Sequence, residues 1–295
     1  NAAPPMSSGT PEEGREAFRT LNQLAASIVP QVEVGAVEDS TVPGPEGARP
    51  VRVYRPAGDG SHPTLLFIHG GGFVIGDLDA YDAQARTLCS CASAVVVSLD
   101  YRLAPEHPFP AGLEDALAAM EWVAENVSEL GGDPDRIVVG GDSAGGNLSA
   151  VVAQEWRGRE PALAAQLLLY PATDMLTERP SHQENGEGLL LTRADMEWFH
   201  GHYLTEEQQS DPRASPGLAE DLSGLPPALV YTAEYDPLRD DGDAYADALS
   251  AAGVEVVHRR FDGLVHGFFA LGPLSGAAGT AVEQVCADLR ELLTV

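Results

Sequence analysis

The sequence predicts an α/β fold with a mostly parallel sheet covered by helices on both faces. Short, continuous apolar runs recur along the chain, and amphipathic helical stretches separate them. With 295 residues and 44% hydrophobic content the chain can build one large core, and its 31 Gly and 22 Pro are close to ordinary usage.

The elements follow in chain order. Thr10-Pro11-Glu12-Glu13 reads as a helix start, with Thr10 as N-cap, Pro11 at the first helical position and Glu13 closing a capping box. Helical pattern continues to Ile28, and a Pro- and Gly-rich passage runs from Thr41 to Pro50. Val51 to Arg55 alternates apolar and charged residues, as a half-exposed edge strand does. Thr64–His69, Ala94–Leu99, Arg136–Gly140, Ala165–Tyr170, Ala228–Ala233 and Val254–Phe261 are the further strands, and Leu113–Val127 and Asp243–Ala252 are among the helices between them. One interval breaks the alternation: Met175 to Leu222 separates two strands and contains a helical pattern from Thr192 to Tyr203. A connection that long predicts a lid over the strand C-termini, where open α/β sheets bind ligands. The expected organisation is therefore 1–45 as the N-terminal part of a cap, 46–174 as the first part of the core, 175–222 as a cap insertion and 223–295 as the second part of the core.

Charge narrows the partners. The 45 acidic residues outnumber 17 basic ones, for a formal net charge of −28, and the chain has no Lys. Such a surface repels phosphate backbones and anionic lipid, which argues against nucleic-acid binding and polybasic membrane docking. Without Lys there is no Schiff-base chemistry, no Ser–Lys dyad and no phosphate-loop lysine. Cys89, Cys91 and Cys286 are an odd number and lack zinc-ligand spacing, so they read as small core residues in a reducing compartment. The longest stretch free of Asp, Glu and Arg, Gly263–Val282, holds five Gly, one Pro and His266, unlike a membrane span. No basic region followed by an apolar one opens the chain, so the expectation is a cytoplasmic protein without stable membrane insertion.

Two glycine-rich motifs carry chemistry. Gly141-Asp142-Ser143-Ala144-Gly145 lies between a strand and a helix, as a nucleophile elbow requires. By composition alone such a pattern arises about 0.2 times per chain, so its context must decide. His69-Gly70-Gly71-Gly72, where a strand meets a loop, is the independent second signal, expected by chance only about 0.01 times. Glycines let backbone N–H groups approach the oxygen that becomes negative during acyl transfer. A serine nucleophile needs a base, and the base needs an orienting carboxylate, in the chain order Ser, acid, His for this arrangement. His266, in the loop after the last strand, fits the base, whereas His258 lies within that strand. Asp236 fits the acid: it follows a strand, and Pro237 ends ladder pairing there. Glu234 is its competitor or a supporting group, and Asp240, Asp241 and Asp243 flank the next helix. His200 and His202, two apart on a helix, do not share a face and do not suggest a metal site.

His69-Gly-Gly-Gly, Gly141-Asp-Ser-Ala-Gly145, Asp236-Pro-Leu-Arg-Asp240 and His266-Gly-Phe, in this order, resemble the bacterial hormone-sensitive-lipase-type (family IV) esterases of the α/β-hydrolase superfamily. Tyr101-Arg-Leu-Ala-Pro-Glu-His-Pro-Phe-Pro110 is also similar to a stretch typical of that family. The resemblance implies an eight-stranded α/β-hydrolase sheet under a helical cap and hydrolysis of short- to medium-chain carboxylic esters, with no metal or organic cofactor. It also implies Ser143 as nucleophile, His266 as base, Asp236 as its orienting acid, and the amides of Gly71, Gly72 and Ala144 as the oxyanion hole. Phe73, Asp142, Trp198, Phe199 and Tyr203 are the expected substrate-binding residues. The N-terminal part is shorter than is usual in the family, which implies a more open cap. The expected partner is a small ester, with a homodimer as a further expectation. Acyl transfer or deacetylation on the same triad is the alternative activity, and non-catalytic ligand binding a more distant one.

Overall fold

Eight strands form one sheet in the computed structural model, which describes residues 6–294. They are β1 (Ala36–Val42), β2 (Arg49–Arg55), β3 (His62–Ile68), β4 (Val95–Leu99), β5 (Gly132–Asp142), β6 (Leu163–Leu169), β7 (Ala228–Tyr235) and β8 (Val256–Val265). Their spatial order is β1-β2-β4-β3-β5-β6-β7-β8. The β1/β2 and β2/β4 pairs are antiparallel, and all others are parallel. Every strand expected from an apolar run is present. β1 is an addition: six of its seven residues are exposed, so it has no apolar pattern to announce it.

The helices are α1 (Pro11–Ile28), α2 (Asp82–Ala92), α3 (Ala111–Asn126), α4 (Ala144–Glu155), α5 (Pro180–Glu184), α6 (Arg193–Tyr203), α7 (Arg239–Ala251) and α8 (Gly276–Leu293). Strand pleating sorts them into two layers. Leu66 and Ile68 of β3 pack in one cluster with Leu113 and Met120 of α3 and Leu148 of α4. Leu65 and Phe67 point the other way, into a cluster with Leu88 of α2 and Val285 of α8. The predicted cap of α1 is in place: the Thr10 amide donates to Glu13 Oε2 at 2.8 Å, and the Glu13 amide donates back to Thr10 Oγ1 at 3.3 Å.

Two expectations need correction or a limit. Cys91 and Cys286 are not free thiols. They form a disulfide between α2 and α8, leaving Cys89 as a buried thiol. The partners lie 195 residues apart, so local spacing could not expose the pairing. Among the described residues no helix is long and apolar enough to cross a membrane. Residues 1–5 of the N-terminal segment lie outside the described residues.

Between β6 and β7 the chain carries α5, α6 and two 3-10 turns, Glu206–Ser210 and Pro216–Leu218. Arg15 of α1 reaches the body of the molecule, donating to the carbonyls of Val74 and Ala104, each at 2.8 Å, and pairing with Glu106 at 2.6 Å. The Tyr101–Pro110 stretch is a junction. Tyr101 donates to the His69 carbonyl, Arg102 pairs with buried Asp115, and the Phe109 amide donates to the Tyr203 carbonyl of α6.

Candidate active site

Five parallel strands end on one edge of the sheet and bring their following residues together: the glycines after β3, Ser143 after β5, Tyr170 after β6, Asp236 after β7 and His266 after β8. Ser143 sits between β5 and α4 at φ 53° and ψ −117°, a left-handed conformation that non-glycine residues rarely adopt. The glycines around it are steric necessities. A Cβ on Gly145 would run into the Ile68 carbonyl, and one on Gly141 into the same carbonyl and the Gly145 backbone. The turn is held by the Ser143 amide, which donates to the Leu169 carbonyl at 2.8 Å.

His266 Nε2 lies 3.0 Å from Ser143 Oγ, and its Nδ1 lies 2.8 Å from Asp236 Oδ2. Asp236 is fully buried, and its other oxygen accepts the Leu238 amide at 2.8 Å. Asn185, brought in by the segment after α5, donates to the backbone carbonyls of Glu234 and Asp236, both at 3.1 Å. Glu234, the competing carboxylate, turns away from His266: its carboxylate accepts the Gly263 amide at 2.7 Å. That contact fixes a bulge at which the β7/β8 register shifts, with Gly263 at φ 73°, and the bulged strand continues to Val265. His258 instead contacts Asp243 at 2.9 Å, while Asp241 is buried against Arg179 and His182.

The glycine loop is built around two buried side chains. His69 stacks on Tyr101 at 4.4 Å and its Nδ1 donates to the Gly70 carbonyl at 2.7 Å; burial lowers its pKa to about 4, so the ring stays neutral. Asp142 accepts the Gly70 amide at 2.8 Å and the Tyr81 hydroxyl at 3.5 Å, tying the loop to the elbow. Burial raises the Asp142 pKa to about 6. Among the described residues the amides of Gly71, Gly72 and Ala144 donate to no protein acceptor, and all three residues face the same cavity. Gly71 and Gly72 have φ of 99° and 59°, and a Cβ on Gly72 would enter the Phe199 ring of α6.

The cavity holds about 300 Å³ and reaches Ser143 and His266. Phe73, Asp142 and Phe199 line it as expected. Trp198 and Tyr203 do not, which corrects the expectation for them. Met196, Phe199 and His200 form the inward face of α6, whereas Trp198 packs on His202 and Tyr203 stacks on the back of Phe73 at 3.7 Å. His200 and His202 thus diverge, and no metal-binding group of side chains occurs among the described residues. Sequence reasoning missed Tyr170, whose ring meets His266 edge-on at 4.9 Å, and Phe18 and Leu21 of α1, which line the cavity. Their place at a strand end and on the apolar stripe of α1 was the available signal. With this geometry Ser143 can pass its proton to an imidazole held in one tautomer, beside unengaged backbone donors.

Residues 65–270 match a family model described as the alpha/beta hydrolase fold. The carboxylic ester hydrolase LipN of Mycobacterium tuberculosis is 49% identical over 273 residues, covering 90% of this chain and 72% of that protein. The carboxylesterase NlhH of the same organism is 45% identical over 296 residues, covering 96% and 91%. Among solved structures, the thermophilic carboxylesterase EstE1 from a metagenomic library superposes with a TM-score of 0.93 at 43% identity, covering 97% of this chain and 98% of that one. An esterase of Pyrobaculum calidifontis gives 0.92 at 42% identity, covering 97% and 94%.

Proposed function

Because this chain belongs to the α/β-hydrolase family, in its hormone-sensitive-lipase-type branch, we propose that it hydrolyses short- to medium-chain carboxylic esters through an acyl-enzyme formed on Ser143. At the level of class it is a carboxylic ester hydrolase. The observation that carries the finer reading is the hydrogen-bonded series Ser143–His266–Asp236 at 3.0 and 2.8 Å, facing a mostly apolar cavity.

Ser143 Oγ attacks the ester carbonyl as His266 Nε2 takes its proton. Buried Asp236 holds the ring by Nδ1–H and stabilises the imidazolium that forms. The carbonyl oxygen, now negative, is met by the Gly71, Gly72 and Ala144 amides, with the positive end of the α4 dipole behind them. His266 returns the proton to the departing alcohol, and water repeats the sequence on the acyl group. The N-terminal segment and residues 175–222 serve as the cap, with Phe199 and Met196 as apolar wall for the acyl or alcohol chain. A cytoplasmic location is part of this proposal and has its own readout. Thiols there are kept reduced, so the Cys91–Cys286 disulfide weighs against this location; alkylation of protein denatured straight from lysed cells decides, with all three cysteines trapped supporting it and Cys89 alone overturning it.

The test is turnover of p-nitrophenyl esters from acetate to laurate. Wild type should peak at one short or medium chain length, and Ser143→Ala should lose about 10⁴-fold or more in kcat while keeping its fold. Retained turnover in that variant would move the nucleophile elsewhere.

A further inference from the structure

Of eight large apolar side chains exposed among the described residues, three line the cavity and two more lie on α1, while Val37, Leu176 and Tyr235 stand elsewhere. Leu21, Leu190 and Leu274 are 59%, 63% and 51% exposed, yet all three line the cavity that reaches Ser143. They come from three separate segments: α1, the stretch before α6, and the turn between His266 and α8. They therefore form a rim around the entrance rather than one accidental patch. On α1 the rim continues outward. Leu24 and Ile28, 61% and 67% exposed, stand three and seven residues beyond Leu21, so they extend the same side of the helix. Neither lines the cavity.

From this rim we infer that the protein docks by its cavity mouth on the surface of an uncharged, water-insoluble ester phase. The inference rests on the proposed reading of the cavity as the ester site. Two features select this occupant. The rim is continuous with the cavity wall, so a phase made of ester molecules presents substrate where the rim binds, whereas a protein seated there would seal the entrance. Charge selects the kind of surface: at a net charge of −28 and without Lys, an anionic bilayer is repelled, while an uncharged oil surface is not. An exposed apolar rim of this kind gains by leaving water without needing a basic face.

The experiment uses tributyrin across its solubility limit and flotation with triolein droplets, alongside soluble p-nitrophenyl butyrate. The wild type should keep accelerating as tributyrin passes into emulsion and should float with droplets. Leu24→Ser/Ile28→Ser should partition to droplets on the order of tenfold more weakly and lose the extra rate on emulsion. Its kcat/KM on soluble p-nitrophenyl butyrate should stay within about twofold, which also reports an intact fold. Ser143→Ala should float like wild type, so docking is scored independently of catalysis. If the wild type is inert toward every soluble ester but still floats, the esterase reading fails while the docking surface stands. A wild-type rate that levels off at the solubility limit, or an unaltered double variant, overturns the inference. So does a wild-type dimer that the double variant dissolves without any change on droplets, which would assign the rim to a second copy of the chain.

Discussion

At Gly145, in the elbow beneath the cavity, one added carbon would collide with the Ile68 carbonyl, whereas Leu21, which lines the cavity, is 59% exposed. The two residues represent two ways of building. The floor, made of the glycine loop, the Ser143 elbow and the ends of β7 and β8, is fixed by backbone collisions, left-handed turns and buried hydrogen bonds. The cover, made of α1 and the segment between β6 and β7, is held by side chains: Arg15 on α1, Arg179, Ser181, His182 and Asn185 against the end of β7 and the start of α7, and Phe199 packed over Gly72. Reacting atoms need positions good to a fraction of an ångström, and backbone constraints supply them. The reach of the cavity depends on exchangeable side chains, so size preference can change without disturbing the chemistry.

Substitutions can break this division or sharpen it. The largest effect after loss of Ser143 itself is expected at Gly72, where floor and cover meet. Gly72→Ala should lower kcat about 100-fold or more, because it strains a φ of 59° and pushes into Phe199. Adding Phe199→Ala should recover at most about tenfold of that loss in steady-state assays, since relief of the ring contact leaves the amide misplaced. Full recovery would make the cover, not the backbone, the cause. Glu234→Ala removes the acceptor of the Gly263 amide and should reduce kcat by about tenfold with little change in KM, through a looser His266. An unchanged kcat would show that the bulge holds itself.

Arg15→Ala attacks the cover alone. It should raise the rate of proteolytic cleavage between α1 and β1 by about tenfold, while turnover of p-nitrophenyl acetate shifts by less than about threefold. The Arg15 hydrogen bond also holds the Glu106 pKa down, to about 2, so this contact persists well into acid. The smallest effect concerns stability. Between the ordinary carboxyl value of 3.8 and about 6, folded Asp142 keeps a proton that the unfolded chain releases. It therefore adds stability in acid and withdraws it as pH rises through about 6. Asn can still accept the Gly70 amide and carries no charge, so Asp142→Asn should raise Tm at pH 7.5 by about 2–4 °C and leave pH 4 nearly unchanged. Equal shifts at both pH values would assign the effect to packing.

The floor was legible in the sequence; of the cover, the helices α1 and α6 were legible but the faces they turn inward only in part. Gly141–Gly145 and His69–Gly72 could be placed because their chemistry constrains the backbone and leaves few residue types available. Asp236 and His266 followed from chain order and strand ends. Trp198 and Tyr203 lie off the cavity wall because which face of a short helix looks inward depends on what packs around it, here Phe73 and His202. Asn185 gave no signal, since its role is to hold two carbonyls 49 and 51 residues away in sequence. β1 escaped for another reason: at an exposed antiparallel edge its residues bury almost nothing, so hydrophobic periodicity had nothing to report.

The disulfide between α2 and α8 has a mechanical meaning. With the bond formed, residues 91 to 286 are a closed ring containing Ser143, Asp236 and His266, while the glycine loop and α1 lie on the free N-terminal arm. A pull on the two chain ends would load the arms and the bond, and the polypeptide inside the ring would add nothing to the extension. Tension could thus strip α1 and the amides of Gly71 and Gly72 from the molecule while nucleophile, acid, base and the α5–α6 half of the cover stayed tethered in one loop. Only reduction would release the length stored in it.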